Sequence, residues 1–256
     1  MRITVVGCAG SYPGPDSPAS CYLLEAEGPD GHGGSRTWRV LVDLGSGALG
    51  TLQQHLDPVD LDGILLSHLH ADHCLDLCGL YVLRKYHPTG AQPRIPVWGP
   101  DDTARRMAKA YDLDEDPGMN QEFDFRTHPG QHTFGPFSIT ARRVEHPVTA
   151  YGLRIESGGK VLAYSGDTGP CPSLVETARD ADLFLCEASF VESSDNPPDL
   201  HLTGAQAGRA ATEAGARRLL LTHVPPWHDR QVALQEAMGT YDGQVELAEP
   251  GRTYEV

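Results

Sequence analysis

The sequence has no apolar run long enough to cross a bilayer. "RRLLLTHV", at 217–224, is among its longest, and a spanning helix needs roughly 20 apolar residues. A leader is not expected either. Met1 runs straight into the strand-like "MRITVVGCAG", without the charged-then-apolar segment or the small-residue cleavage site of a signal peptide, so a cytoplasmic location and no membrane contact are expected. Basic charge is scarce: 20 Lys and Arg stand against 35 Asp and Glu, for a net charge of −15. A phosphate backbone is normally met by a basic face, so nucleic acid is disfavoured as a partner. A small phosphorylated ligand is not, because bound metal ions can reverse the field locally. The six cysteines (8, 21, 74, 78, 171 and 186) form no paired small-scaffold pattern. Cys74 and Cys78 are four apart, the spacing of one helix face rather than of a C-x-x-C zinc knuckle. They read as reduced core residues. Cys74 adjoins a metal-type motif, but harder His and Asp ligands are already at hand there.

What is present fits one sizeable core. The 256 residues are 39% hydrophobic and 21% charged, ordinary values for a globular chain. Strand-like runs fall at 2–7, 20–27, 38–43, 61–67, 94–98, 137–145, 149–157, 160–165, 182–187, 217–222 and 244–248. "GPDGHGGSRT" at 28–37 reads as a hairpin loop. Helix-like runs fall at 75–87, 101–111, 172–180, 203–215 and 229–239. Strands come first, then strand–helix alternation, and the sequence of events then repeats. This pattern predicts two sheets packed face to face with helices outside, in two similar halves of one domain spanning 1–256.

The densest chemistry is "SHLHADHC" at 67–74. A strand would turn positions two apart the same way, so His68 and His70 can converge on one cation. Beyond the turn, Asp72 and His73 can face a second. Without metal, four such groups would repel one another or suffer desolvation. Chance appearance of H-x-H-x-D-H in a chain this long is on the order of 10⁻³. Two ions need further ligands. His146 ("TARRVEHP"), Asp167 ("KVLAYSGDTG") and His223 ("RRLLLTHV") each follow an apolar run and meet turn residues, which places them at a sheet rim.

These segments resemble the metallo-β-lactamase fold superfamily. Within it the chain is similar to the branch of tRNA 3′-processing endonucleases and small-nucleotide phosphodiesterases. The resemblance covers nearly the whole chain, through "VDLGSG" (42–47), "SHLHADH" (67–73), "EHP" (145–147), "YSGDTGP" (164–170), "LCEASF" (185–190), "HLTGAQA" (201–207) and "LLLTHVPPW" (219–227). It implies a four-layer αββα sandwich of two mixed sheets flanked by helices. It implies one zinc on His68, His70 and His146, a second on Asp72, His73 and His223, and Asp167 bridging both with a hydroxide. Imidazole and carboxylate donors with open positions suit Zn²⁺; Mn²⁺ or Fe²⁺ would also be accepted by the carboxylates. A bound water would fall from a pKa of 15.7 to roughly 7.

The resemblance also assigns catalysis to Asp72, through its metal, and to His201, which would protonate the leaving group with Glu187 orienting it. The competing role for His201 is capping the helix near Thr203. Asp43 is expected to support the histidine loop without ligating. The other histidines (32, 55, 87, 128, 132 and 228) lie in polar stretches and are expected at the surface, with His228 alone near the site.

Fold cannot choose the substrate. Three features narrow it. The full H-x-H-x-D-H with a bridging aspartate goes with two-metal phosphodiesterases and lactonases. The interval from His146 to Asp167 is two strands joined by "SGGK", where tRNA endonucleases of the branch insert a gripping arm. The loop "CAGSYPGPDSPASCYLL" resembles that of bacterial cyclic-nucleotide phosphodiesterases of this fold, and Ser11, Tyr12 or Trp227 would contact a base, the aromatics by stacking. The expectation is a dinuclear-zinc phosphodiesterase opening 3′,5′-cyclic AMP or GMP to the 5′-monophosphate. The alternatives are tRNA 3′ processing and hydrolysis of a lactone or thioester. Dimers are common in the family, so the resemblance implies a homodimer, although the sequence itself is silent on assembly.

Overall fold

The computed structural model describes residues 1–193 and 195–256. One seven-stranded sheet contains β1 (Arg2–Gly7), β2 (Cys21–Pro29), β3 (Ser35–Val42), β4 (Gly63–Leu65), β5 (Ile95–Gly99) and β6 (Phe123–Thr127) in that order. The C-terminal strand β14 (Thr253–Glu255) returns to pair with β1 at its edge. The second seven-stranded sheet contains β7 (Gln131–Phe134), β8 (Phe137–Arg143), β9 (Tyr151–Ser157), β10 (Lys160–Tyr164), β11 (Leu183–Glu187), β12 (Arg218–Thr222) and β13 (Gln244–Leu247). The helices are α1 (Ala48–Leu52), α2 (Ala71–Cys74), α3 (Leu77–Tyr86), α4 (Thr103–Ala110), α5 (Pro172–Ala178), α6 (Gly204–Ala214) and α7 (Arg230–Met238).

The halves repeat one plan. β1–β3 form an antiparallel meander and β3–β6 pair parallel. In the same way β7–β10 are antiparallel and β10–β13 parallel. Parallel pairing requires crossovers, and helices supply most of them. The period of two along each strand then builds the layers. On β3, Val40 and Val42 face inward against Leu153, Ile155 and Leu162 of the other sheet. Leu41 between them faces outward, onto Leu52, Leu77 and Leu80 under α1 and α3. On the far side Phe184 and Leu221 pack against Ala207, Ala211 and Ala237 of α6 and α7. Each fully buried Leu or Ile contributes roughly 1.5–3 kcal/mol. The architecture is α/β: two mixed sheets face to face with helices on both outer surfaces, as expected.

The structure departs from the sequence reading in places. The edge strands β6, β7 and β14, and the short helices α1 and α2, were not expected. Their segments are three to five residues long, too short to display a period, and β14 is defined by a partner at the opposite end of the chain. β4 ends at Leu65, so His68 and His70 sit in the loop beyond the strand rather than on it. His128 is not at the surface: it is 6% exposed. Its Nε2–H donates to the Leu66 carbonyl at 3.0 Å and its ring packs on Tyr151. Burial holds its pKa down to about 4. His132 is half-buried and stacks on Trp98, with ring centroids 4.8 Å apart. His55, His87 and His228 are likewise only partly exposed, and His32 is at the surface as expected.

Candidate metal centre

The site lies where the loops after β4, β8, β10, β11 and β12 meet, at one rim of the two sheets. His68, His70, Asp72 and His73 leave β4 and enter α2. His146 follows β8, Asp167 follows β10, and His223 follows β12 directly. Two positions show how closely backbone and site are fitted. A Cβ on Gly45 would lie 2.0 Å from the Asp72 carbonyl oxygen, and one on Gly10 would lie 2.2 Å from that of His223. Only glycine lets these loops close over the ligating segments.

Two groups of donors contain Asp167, and a third, of Glu187, His201 and His223, adjoins them. His68, His70, His146 and Asp167 form one; Asp72, His73, His223 and Asp167 form the other, with donor atoms in each within 4.8 Å of one another. In the first, His68 Nε2 and His146 Nε2 lie 3.0 and 3.3 Å from His70 Nδ1. In the second, His223 Nε2 lies 3.0 Å from His73 Nε2 and 3.1 Å from Asp72 Oδ2. Asp167 gives one oxygen to each: Oδ2 is 3.6 Å from His68 Nε2, and Oδ1 is 3.2 and 3.5 Å from the Nε2 atoms of His73 and His223.

The outer ring nitrogens fix which atoms face inward. His73 Nδ1–H donates to Asp43 Oδ2 at 2.7 Å, and His146 Nδ1–H to the Leu200 carbonyl at 2.9 Å. His68 Nδ1 meets Ser67 Oγ at 3.1 Å and His223 Nδ1 meets Ser189 Oγ at 2.7 Å. Both hydroxyls are already committed as donors to carboxylates, Ser67 to Asp43 and Ser189 to Glu187, each at 2.8 Å. They therefore accept from the histidines, and the Nε2 atoms of all four rings point into the site.

Asp43 is fully buried and accepts from Ser67 N–H, Ser67 Oγ–H, Tyr164 O–H and His73. The sequence suggested support from Asp43; it did not suggest Ser67, Tyr164 or Ser189. Ser67 and Ser189 stand inside quoted motifs, but a lone serine carries no signal of its own. Tyr164 looked like an ordinary strand residue.

Electrostatics agree with a cation site. Burial, followed by the neighbouring His73 charge, drives His68 well toward its neutral, ligating form. Burial also opposes charge on His73, yet the carboxylates of Asp167 and Asp43 on either side hold its pKa well above the usual value. Burial resists the charge of Asp167 too, and His223, His73 and His68 nonetheless hold it ionised. Asp167 Oδ1 is buried without a hydrogen bond. Buried carboxylates facing converging lone pairs require positive charge between them, which divalent ions supply. The donor set, imidazole and carboxylate without thiolate, matches that requirement.

His201 lies beside both groups, its ring centroid 5.6 Å from those of His146 and His223. It does not cap α6. Thr203 does, through a reciprocal box with Gln206. His201 Nδ1–H instead donates to Glu187 Oε1 at 3.0 Å. Burial works against a charged His201, but the Glu187 carboxylate outweighs it and raises the pKa to about 9. The same Glu187 oxygen accepts the Thr168 N–H, next to Asp167. Cys74 stands apart, in the apolar cluster under α1 and α3, with its thiol pushed by burial to about 12. His228 joins neither donor group among the described residues.

Ser11, with φ of 64°, turns the loop after β1 against the loop after β12, where Gly10 N–H donates to the Val224 carbonyl. Tyr12 and Trp227 pack there in a tilted pair with ring centroids 5.2 Å apart, 43% and 59% exposed. Among the described residues no helix is long and apolar enough to cross a membrane.

A two-sheet sandwich with this rim of histidines and aspartates defines a metal-dependent hydrolase. The chain belongs to the β-lactamase superfamily: residues 38–224 match the family described as the beta-lactamase superfamily domain. It is 49% identical, over its whole length and 89% of the relative's, to an uncharacterized protein of Mycobacterium leprae. It is 31% identical to the probable metallo-hydrolase YhfI of Bacillus subtilis, with both chains fully covered. The crystal structure of YhfI superposes with a TM-score of 0.85, covering 100% of this chain and 99% of that one. Ribonuclease Z of Myxococcus xanthus is 28% identical over 100% of this chain and 98% of its own.

Proposed function

We propose that residues 1–256 act as one dinuclear phosphodiesterase unit that hydrolyses 3′,5′-cyclic nucleotides to 5′-monophosphates. The observation that carries this reading is Asp167, which offers one oxygen to each of two histidine groups. His68, His70 and His146 would hold one zinc ion, and Asp72, His73 and His223 the other, with Asp167 between them. Such ions supply Lewis acidity toward phosphoryl oxygens and an acidified water; manganese or iron would serve the same donors.

The protein's own groups do the rest. Glu187 accepts from His201 Nδ1, which fixes the tautomer and leaves Nε2 as the proton donor. The Glu187 carboxylate favours the protonated ring, which keeps that proton available for the departing ribose oxygen. Asp43 and Ser189 hold His73 and His223 in orientation. Tyr12 and Trp227, with the Ser11 turn beneath them, form an exposed aromatic face on which a base can stack.

Kinship with ribonuclease Z keeps an RNA substrate as the second reading. Against it stand the acidic charge and the tight β9–β10 hairpin, which turns at Gly158 and Gly159 between His146 and Asp167. A panel on zinc-loaded protein decides: cyclic AMP, cyclic GMP, 2′,3′-cyclic AMP, a tRNA precursor, a lactone and a thioester. Turnover of the 3′,5′-cyclic nucleotides is expected. Cleavage of the tRNA precursor, lactone or thioester with none of the cyclic nucleotides would overturn the proposal. Protein loaded instead with manganese or iron, and gel filtration for a homodimer, complete the comparison.

A further inference from the structure

One strongly charged feature is left unused by the reaction just described. A groove of about 690 Å³ opens beside the more exposed donor group. His70 forms part of its wall, and so do Val148 and Thr149, just after His146. Its opposite wall is α4, which presents Arg105, Arg106 and Lys109, and Arg143 reaches in from the end of β8. Four cations around one groove are unexpected in a chain of net charge −15.

Their pairing sharpens the point. Two carboxylates, Asp101 and Asp102, share the groove. Asp102 is taken by Arg105 at 2.5 Å. Among the described residues, Arg106, Lys109 and Arg143 have no carboxylate within ion-pair distance; Arg143 lies 5.7 Å over the Tyr151 ring. Elsewhere on this acidic surface most arginines are tied to Asp or Glu, as Arg2, Arg36, Arg126, Arg179 and Arg252 are. Unpaired cations concentrated in a concave site create the local positive field that an anion needs. The groove is also anchored to the centre, because Tyr151 N–H donates to the carbonyl of Ser67, next to His68.

We propose that this groove is a second anion subsite of the hydrolase, which takes a phosphoryl group one unit away from the scissile phosphate. The substrate class it selects is a phosphodiester carrying a further phosphate, such as a dinucleotide with a 5′-terminal phosphate. A cyclic mononucleotide has a single phosphate and leaves the groove unfilled. The inference rests on the phosphodiesterase reading and extends it. Chemistry is unchanged: water adds to phosphorus, the P–O bond to one ribose breaks, and that oxygen leaves with a proton.

The test compares two linear diadenylates with the same 3′,5′ linkage, one bearing a 5′-phosphate and one lacking it. For the zinc-loaded wild type the phosphorylated dinucleotide should be preferred by about tenfold at low salt, through KM, with the preference shrinking as salt screens it. In Arg106→Gln/Lys109→Gln, both exposed substitutions, the preference should vanish while the unphosphorylated dinucleotide is cleaved as before. A wild-type ratio near one, or a ratio retained by the double variant, would overturn the subsite. If neither dinucleotide nor bis(p-nitrophenyl) phosphate is hydrolysed, the phosphodiesterase reading fails separately. Equilibrium binding of pyrophosphate then decides the groove: weakening in the double variant upholds it and equal affinity refutes it.

Discussion

The two donor groups share Asp167 and, apart from the fully buried His68, differ in exposure. Asp72, His73 and His223 are 7%, 0% and 1% exposed. Their outer atoms are held by Asp43 and by the run from His223 through Ser189 to Glu187. His70 and His146 stand half-exposed at the mouth, and His146 is braced only by a backbone carbonyl. The buried group is preorganised, so its donors would have little freedom to lose on binding an ion. The open group borders the basic groove and faces solvent. The tighter ion is therefore expected at the back of the site and access at the front.

That contrast can be broken most severely at the residue both groups share. Asp167→Ala should release both ions and lower turnover by about three orders of magnitude or more, as measured by zinc content and initial rate. Next is His201→Ala, expected to keep both ions and slow hydrolysis about 10²-fold. An unchanged rate would leave His201 with no part in the reaction. Asp43→Asn should weaken zinc at the buried group by roughly 10–100-fold and at the open group less, because Asp43 touches His73 directly and reaches His68 only through Ser67; equal loss at both would erase the asymmetry. The smallest effect falls outside both groups. Trp227→Ala should raise KM for a purine cyclic nucleotide by about tenfold, as loss of one stacking contact does, and leave kcat alone.

Much of the candidate site was legible because the residues that could hold a metal are chemically costly groups at strand ends. A buried histidine or aspartate beside Gly or Pro stands out from an apolar run, and H-x-H-x-D-H has little other use. The helix starts were legible for a similar local reason, as with Thr203 before α6 and Gln206 in its first turn. What escaped notice depends on partners remote in sequence. Tyr164 matters because it donates to Asp43, 121 positions away. His128 is buried because Leu66 supplies a carbonyl from another loop. The edge strands β7 and β14 exist through their neighbours rather than through their own short patterns. The groove on α4 was invisible for the same reason: Arg106 and Lys109 lie on one helix, but Arg143 comes from another sheet.

The central claim is that two unequal metal positions meet at Asp167. The most direct measurement is zinc counted per chain by elemental analysis in the wild type, Asp72→Ala and His146→Ala, across a chelator titration. The account predicts two ions in the wild type, lost in two steps. It predicts one readily chelated ion in Asp72→Ala and one tightly held ion in His146→Ala. A single zinc in the wild type, or identical chelation curves for the two variants, would contradict it.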